Sequence, residues 1–184
     1  MTAGLPKRVL GRLLPFALLL VLCARSIPAL AADTASHTVT IRIPEVMRLA
    51  VETGGLVFNL EEGEDFPPES FPVYFYPSSS SGDGAVVLRV NSNTFAQWAV
   101  HVKPLGDLTD GTNVIPISQL EWSVDGVNWS SLSPAGSDEF GVRLFSGSRT
   151  NGWEYYRIYY RLKLVGDEVA GAYTVQLRYS IISL

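Results

Sequence analysis

The chain has 184 residues, of which 47% are apolar and 17% are charged, a composition typical of one globular domain rather than a disordered or highly charged chain. One cysteine and two histidines exclude a disulfide within the chain and a zinc site of the Cys/His type. The formal net charge is −4.

The first 31 residues have the order of segments that is typical of a secretory signal peptide. Basic Lys7, Arg8 and Arg12 precede an apolar run over residues 13–24, and a small-x-small site, Ala-Leu-Ala, occupies residues 29–31. The run is shorter than the ~20 residues that a membrane-spanning helix needs. We therefore predict cleavage near residue 31, no membrane span after processing, and a secreted, periplasmic or cell-surface location.

Removal of this segment changes the charge and the cysteine content of the chain. The segment holds four of the 14 basic residues and none of the 18 acidic ones, so residues 32–184 carry a formal charge of −8 and no cysteine. Such a charge repels nucleic acids and anionic membranes. We expect no nucleic-acid partner, and we expect a fold that packing alone stabilises.

The first predicted strand has two interpretations. Val39, Ile41 and Ile43 alternate with polar residues, and Pro44 follows them. This segment can be an ordinary first strand of its own sheet, or it can be donated to the open edge of another subunit, because the ladder hydrogen bonds are the same in both cases.

Period-2 alternation recurs over the rest of the chain, between turn signals at short spacing. Asp125-Gly126 is the strongest hairpin signal, and residues 61–69 and 77–84 have the composition of loops. The pattern predicts nine or ten strands and an all-β fold, an antiparallel β-sandwich that spans residues 32–184 as a single domain. The further predicted strands are 47–51, 56–60, 71–76, 85–91, 98–103, 120–124, 142–144, 155–164 and 173–181.

Residues that could carry catalysis are few. His101 falls on the polar face of its strand, where we expect it to face solvent, and His37 lies near the predicted new terminus. We predict no enzyme activity, no cofactor and no metal site, although the acidic residues 61–65 and the pair Asp107 and Asp110 leave calcium open.

The longest predicted strand carries an unusual outer face. Tyr155, Arg157, Tyr159 and Arg161 alternate with its apolar side, and Trp153 precedes them in a turn. Tyrosine and arginine are enriched at interfaces, so these five residues are candidates for contact with a partner or a glycan. The alternative is an ordinary outer face whose long side chains cover the sheet. By the same alternation Trp98 and Trp122 belong to the core.

Residues 167–179, Asp-Glu-Val-Ala-Gly-Ala-Tyr-Thr-Val-Gln-Leu-Arg-Tyr, resemble the Gly-x-Tyr turn and last strand of immunoglobulin-like bacterial surface subunits, which include chaperone–usher pilins, spore-coat U-type proteins and WxL-type domains. The Trp-Ala-Val-His-Val sequence at 98–102 is also similar to the Trp-centred strand of the WxL and coat-type domains. The resemblance implies an immunoglobulin-like Greek-key sandwich in which Gly171 and Tyr173 are structural.

The function that follows is that of an exported, non-catalytic structural or adhesive cell-surface subunit, assembled with other copies or other surface subunits by strand donation. The alternative is a carbohydrate-binding module that uses Trp153, Tyr155 and Tyr159.

In the sandwich fold a tyrosine at the position of Tyr173 donates a hydrogen bond from its hydroxyl to the nearby backbone.

Overall fold

The computed structural model describes residues 35–53, 55–60, 66–78, 84–133 and 139–184. Residues 43–184 form one compact unit, and the chain up to residue 42 forms another, of which residues 35–42 are described. The predicted signal peptide and the acidic residues 61–65 lie outside the described residues.

Eleven strands are present in the part of the chain that the structure describes, and all of their pairings are antiparallel. They are β1 (Met47–Val51), β2 (Val73–Phe75), β3 (Ala85–Ser92), β4 (Trp98–Pro104), β5 (Leu108–Thr109), β6 (Val114–Ile115), β7 (Leu120–Ser123), β8 (Ser130–Ser131), β9 (Val142–Gly147), β10 (Glu154–Leu164) and β11 (Leu177–Ser183).

The strands form two packed sheets and one short ribbon. The larger sheet has the order β1-β3-β10-β7-β8, with β2 also paired to β10, and the smaller sheet has the order β11-β4-β9. Strands β5 and β6 pair with each other. The predicted all-β antiparallel sandwich is confirmed.

Two strand predictions within residues 43–184 differ from the structure, and one short ribbon was not predicted. Residues 56–60 form no strand, and β11 begins at Leu177 rather than at residue 173, because only Thr174 makes an isolated bridge, to Thr109. The β5–β6 ribbon was not predicted because its two strands have two residues each, too short for a visible alternation.

The core lies between β3, β4 and β10, whose inward residues alternate with outward ones as predicted. Trp98 is fully buried, its ring packs edge-on against Phe145 and Tyr156, and its Nε1 donates a hydrogen bond of 2.6 Å to the carbonyl of Ser148. Trp122 points to the same core but is half-buried, since β7 lies near the end of its sheet.

One polar contact joins the two sheets inside the core. The hydroxyls of Tyr160 on β10 and Tyr179 on β11 lie 2.8 Å apart. Tyr160 is 1% exposed, and burial raises the pKa of both phenols, that of Tyr179 to about 12. Both groups are therefore neutral at ordinary pH, and each gives the other a hydrogen-bond partner away from water.

Candidate functional site

The outer face of the larger sheet concentrates the positive charge of the chain. Of the ten basic residues that follow residue 31, five lie on this face, whereas the strand pairings place the carboxylates of Glu52 and Glu121 on it in the described part of the chain. We call it the cationic face. Its basic members are Arg48, Arg89, Arg157, Arg161 and Lys163.

Cross-strand register places these side chains in rows. Arg89 on β3 lies opposite Tyr155 on β10, and Arg48 on β1 lies opposite Asn91 on β3. Arg161 lies opposite Glu121 on β7. The alternation within β10 identifies only the residues of the cationic face that lie on that strand. The sequence analysis missed Arg48 and Arg89, because only the pairing of β1 and β3 with β10 brings them to the same surface.

At one end of the cationic face, Arg89 covers an aromatic ring. Its guanidinium carbon lies 4.4 Å from the centre of the Trp153 ring. Its Nε lies 2.6 Å from Oε1 of Glu52, at an angle that does not meet hydrogen-bond geometry, so the contact is an ion pair. Trp153 is 36% exposed, and Tyr155 is 61% exposed. Tyr155, rather than Trp153, is therefore the more accessible aromatic ring.

At the other end, Arg161 lies between two rings. Its guanidinium carbon is 4.0 Å from the centre of Tyr74 and 4.5 Å from that of Trp129. Its Nε and Nη2 lie 2.7 and 2.6 Å from the same carboxylate oxygen of Glu121. Burial lowers the pKa of Arg161, but hydrogen bonds with Glu121 and Tyr76 outweigh this effect and raise it. Arg161 thus fastens β2 and the β7–β8 hairpin to β10.

Tyr155 and Arg157 are the exposed part of the predicted stripe. Tyr159 is half-buried beneath the β7–β8 turn, where a methyl group added to Gly126 would lie 3.9 Å from its ring. Gly126 has a φ of +72°, which glycine adopts without strain, and it lies in the six-residue loop 124–129 rather than in the two-residue Asp-Gly turn that the sequence predicted. Among the five candidate contact residues, Tyr155 and Arg157 are exposed, Trp153 is exposed but covered by Arg89, and Tyr159 and Arg161 are half-buried.

A second candidate surface is formed by β1 and β11, which are the edge strands of their sheets. We call it the β1–β11 side. Among the described residues, β1 pairs only with β3, and β11 pairs only with β4. Their inward apolar side chains pack against the core but stay partly exposed, in contrast to Val100 and Val102 on β4, which are fully buried. These partly exposed side chains are Met47, Leu49, Leu177, Tyr179 and Ile181.

The predicted donor segment forms no strand with any of the described residues. Residues 35–46 form no strand, and Val39, Ile41 and Ile43 are 69%, 78% and 79% exposed. Asn93 fixes the point where this segment meets the sandwich: its Oδ1 accepts from the backbone of Val46 at 2.7 Å, and its Nδ2 donates to the carbonyl of residue 44 at 2.8 Å.

The predicted solvent-facing position of His101 is wrong. The ring is half-buried and edge-on to Phe140, with Nδ1 3.3 Å from the carbonyl of Gly141 and Nε2 buried without a partner. The register with β9 shifts between Val100 and His101, and the segment before β9 covers the ring.

The Gly-x-Tyr turn is stabilised by a hydrogen bond of Tyr173 and by close packing at Gly171. The Tyr173 hydroxyl donates to the carbonyl of Val169 at 2.7 Å, and the side chain is half-buried against the core. A methyl group added to Gly171 would lie 2.5 Å from Oδ2 of Asp110, so a larger side chain would displace that loop.

The carboxylate of Asp110 is occupied within its own turn. It accepts hydrogen bonds from the side chain and backbone of Asn113 and the backbone of Thr112, and these bonds lower its pKa. In the described part of the chain, no group of three or more His, Cys, Asp and Glu side chains is arranged to hold a metal ion.

Within the described ranges, no helix has the length and hydropathy that crossing a membrane requires. No family model matches the chain, and no curated protein is significantly similar to it.

Proposed function

We propose that the chain is an exported, non-catalytic structural or adhesive subunit of a cell surface. In this proposal the N-terminal segment of one copy pairs with the β1–β11 side of the next copy. The leader pattern of residues 1–31 and the resemblance of residues 167–179 to immunoglobulin-like surface subunits support export and a surface role.

The observation that carries the proposal is the partly exposed core at the β1–β11 side. Side chains that point into a sandwich are normally buried, yet Leu177, Tyr179 and Ile181 on β11 keep contact with solvent. Among the described residues no strand pairs with the other edge of β11, and an additional strand there would bury these side chains and form ladder hydrogen bonds with that edge.

The N-terminal segment has the pattern that such a strand needs. Val39, Ile41 and Ile43 recur with a period of two, as do the three inward positions of β11. Burial of a Val or Ile side chain contributes about 1.5–3 kcal/mol. Three such side chains contribute about 4.5–9 kcal/mol, and the ladder hydrogen bonds and the newly buried side chains of β11 add to this against an association cost of about 4–15 kcal/mol.

Deletion of residues 32–43 tests the proposal. We expect the truncated protein to stay folded, because its core includes none of these side chains, and to lose concentration-dependent assembly in analytical ultracentrifugation. A peptide of residues 32–46 should block assembly of the wild-type protein.

A pair of neighbouring substitutions provides the matched control. Ile41→Asp places a charge on the apolar side of the donated strand and should abolish assembly, whereas Thr40→Asp places it on the other side and should preserve assembly. A truncated protein that unfolds, or a wild-type protein that stays monomeric at high concentration, would contradict strand donation.

The exposure of Tyr155 favours a second candidate function, carbohydrate binding by the cationic face. A flat ring that is 61% exposed between arginines offers a sugar a stacking surface and hydrogen-bond donors. Loss of glycan binding on Tyr155→Ala, with unchanged thermal stability, tests this candidate. Retention of binding would remove it.

A further inference from the structure

We infer that Asn93 keeps the N-terminal segment available to a second copy, so that the segment pairs between chains rather than with the β1–β11 side of its own chain. The inference rests on the proposed strand donation and adds the residue that decides between these two pairings. Asn93 acts through residues 44–46, the short link that joins the segment to β1. It is therefore a positioning residue and does not itself contact the partner.

Three hydrogen bonds attach Asn93 to the link. Its Oδ1 accepts from the backbone N–H of Val46 at 2.7 Å, and its own backbone N–H donates to the carbonyl of Val46 at 3.1 Å. Its Nδ2 donates to the carbonyl of Pro44 at 2.8 Å. Because the proline ring also fixes φ at Pro44, both ends of the link are held.

Asn93 is itself held by the end of β3. The preceding residue, Ser92, is 1% exposed, and its backbone N–H donates to Oγ1 of Thr150 at 2.9 Å. The carbonyl of Ser92 accepts from the backbone N–H of Thr150 at 2.8 Å. These bonds lie away from water, so the link is attached to a well-ordered part of the sandwich.

Pairing within one chain would otherwise be favoured by proximity. Three residues separate Ile43 from the start of β1 at Met47, and β1 and β11 contact each other at the side that would accept the segment. Such a link reaches about 10 Å when it is extended, which is the spacing of two packed sheets. A segment tethered this closely has an effective concentration in the millimolar range, whereas separate copies meet at far lower concentrations.

The hydrogen bonds of Asn93 remove this advantage. Residues 35–46 form no strand with any of the described residues. The effective concentration falls towards zero when a linker cannot span two sites. A link that is held at Pro44 and Val46 is such a linker, because the segment can reach its own β11 only if backbone dihedral angles of the link change. Pairing with the β11 edge of a second copy requires no such change.

The substitution Asn93→Asp tests the role of the link. Aspartate keeps the shape of the side chain and an oxygen that accepts from Val46, but it places a second oxygen against the carbonyl of Pro44, where Nδ2 donated. We expect this variant to assemble at least tenfold more weakly than the wild type in analytical ultracentrifugation. The matched control is Asn128→Asp, which also replaces a donating Nδ2 but lies in the β7–β8 loop, at the other end of the larger sheet from β1. The control should assemble as the wild type does.

A labelled peptide of residues 32–46 reports where the released segment goes. At protein concentrations too low for assembly, the full-length wild type should bind the peptide at its β1–β11 side. Asn93→Asp should bind it at least tenfold more weakly, because its own segment occupies that side. Ile41→Asp disables this segment, so the double variant Asn93→Asp/Ile41→Asp should bind the peptide as the wild type does. A loss that came from damage to the fold would not be reversed by a second substitution.

The outcomes separate this inference from the function on which it rests. An Asn93→Asp protein that assembles as the wild type does would overturn the inference and leave strand donation in place. The same conclusion follows if Asn93→Asp binds the peptide as tightly as the wild type, or if the double variant fails to regain binding. A wild-type protein that neither assembles nor binds the peptide would contradict strand donation and the inference together.

Discussion

The hydroxyl pair of Tyr160 and Tyr179 gives a sharp test of the packing between the two sheets. Each hydroxyl is the other's partner at 2.8 Å, but the two residues differ in burial: Tyr160 is 1% exposed, whereas Tyr179 is half-buried at the β1–β11 side. Removal of one hydroxyl therefore leaves the other in a different environment, and the two single substitutions should differ in cost.

The magnitudes follow from which group is left without a partner. Tyr179→Phe leaves the buried hydroxyl of Tyr160 unpaired, which costs about 2 kcal/mol of unfolding free energy. Tyr160→Phe leaves the hydroxyl of Tyr179, whose side chain is less buried than that of Tyr160, and costs about 1 kcal/mol. The double Phe variant leaves no orphaned group, so its loss should be about 1 kcal/mol rather than the sum of the two.

Urea denaturation of the four proteins, followed by tryptophan fluorescence, measures the cycle. Equal m-values across the set would show that the substitutions act on stability alone. Additive losses in the double variant, or a smaller loss for Tyr179→Phe than for Tyr160→Phe, would refute the assignment of this pair as a buried, mutually satisfied contact.

Three further results are expected. Burial raises the pKa of Tyr179 from 10.0 to about 12, so its neutral form is favoured in the folded state. The resulting stabilisation of about 3 kcal/mol should be complete below pH 10 and should be lost as the pH rises to about 12. Urea denaturation at each pH measures it. Gly147→Ala would place a methyl group against the ring of Trp98 and should cost about 1–3 kcal/mol in the same assay, whereas Gly106→Ala, which meets nothing within 4 Å, provides the control. Tyr173→Phe removes one exposed hydrogen bond to the backbone and should lower the melting temperature slightly; an unchanged melting temperature would show that this turn does not depend on the bond.

The sandwich could be predicted from the sequence because its central strands have clean alternation. In β10 the inward side chains alternate with polar or charged ones, and a period of two over that length indicates a β-strand. The inward residues are Tyr156, Ile158, Tyr160, Leu162 and Leu164. The hairpin between β7 and β8 was also predicted from a local signal, but its loop runs over residues 124–129 rather than over Asp125 and Gly126 alone.

The contacts of the cationic face could not be predicted in the same way. Arg161 contacts Tyr74, Glu121 and Trp129, which lie on three other segments of the chain, and strand register alone brings them together. The strand pattern predicted the outward position of Arg161, but it did not predict the contacts that join Arg161 to these other segments. The environment of His101 also depends on a register shift and on the residues that precede β9.

The N-terminal segment shows why one pattern permits two arrangements. The alternation of Val39, Ile41 and Ile43 predicts a strand, yet residues 35–46 form none within this chain. A strand needs a partner edge, and sequence alternation states only that one side of the strand will be buried, not in which molecule. The partly exposed inward side chains of β11 have the same period and lie on an edge without a further strand in the described chain, so the proposed donation of the segment from a second copy would satisfy both halves of the pattern at once.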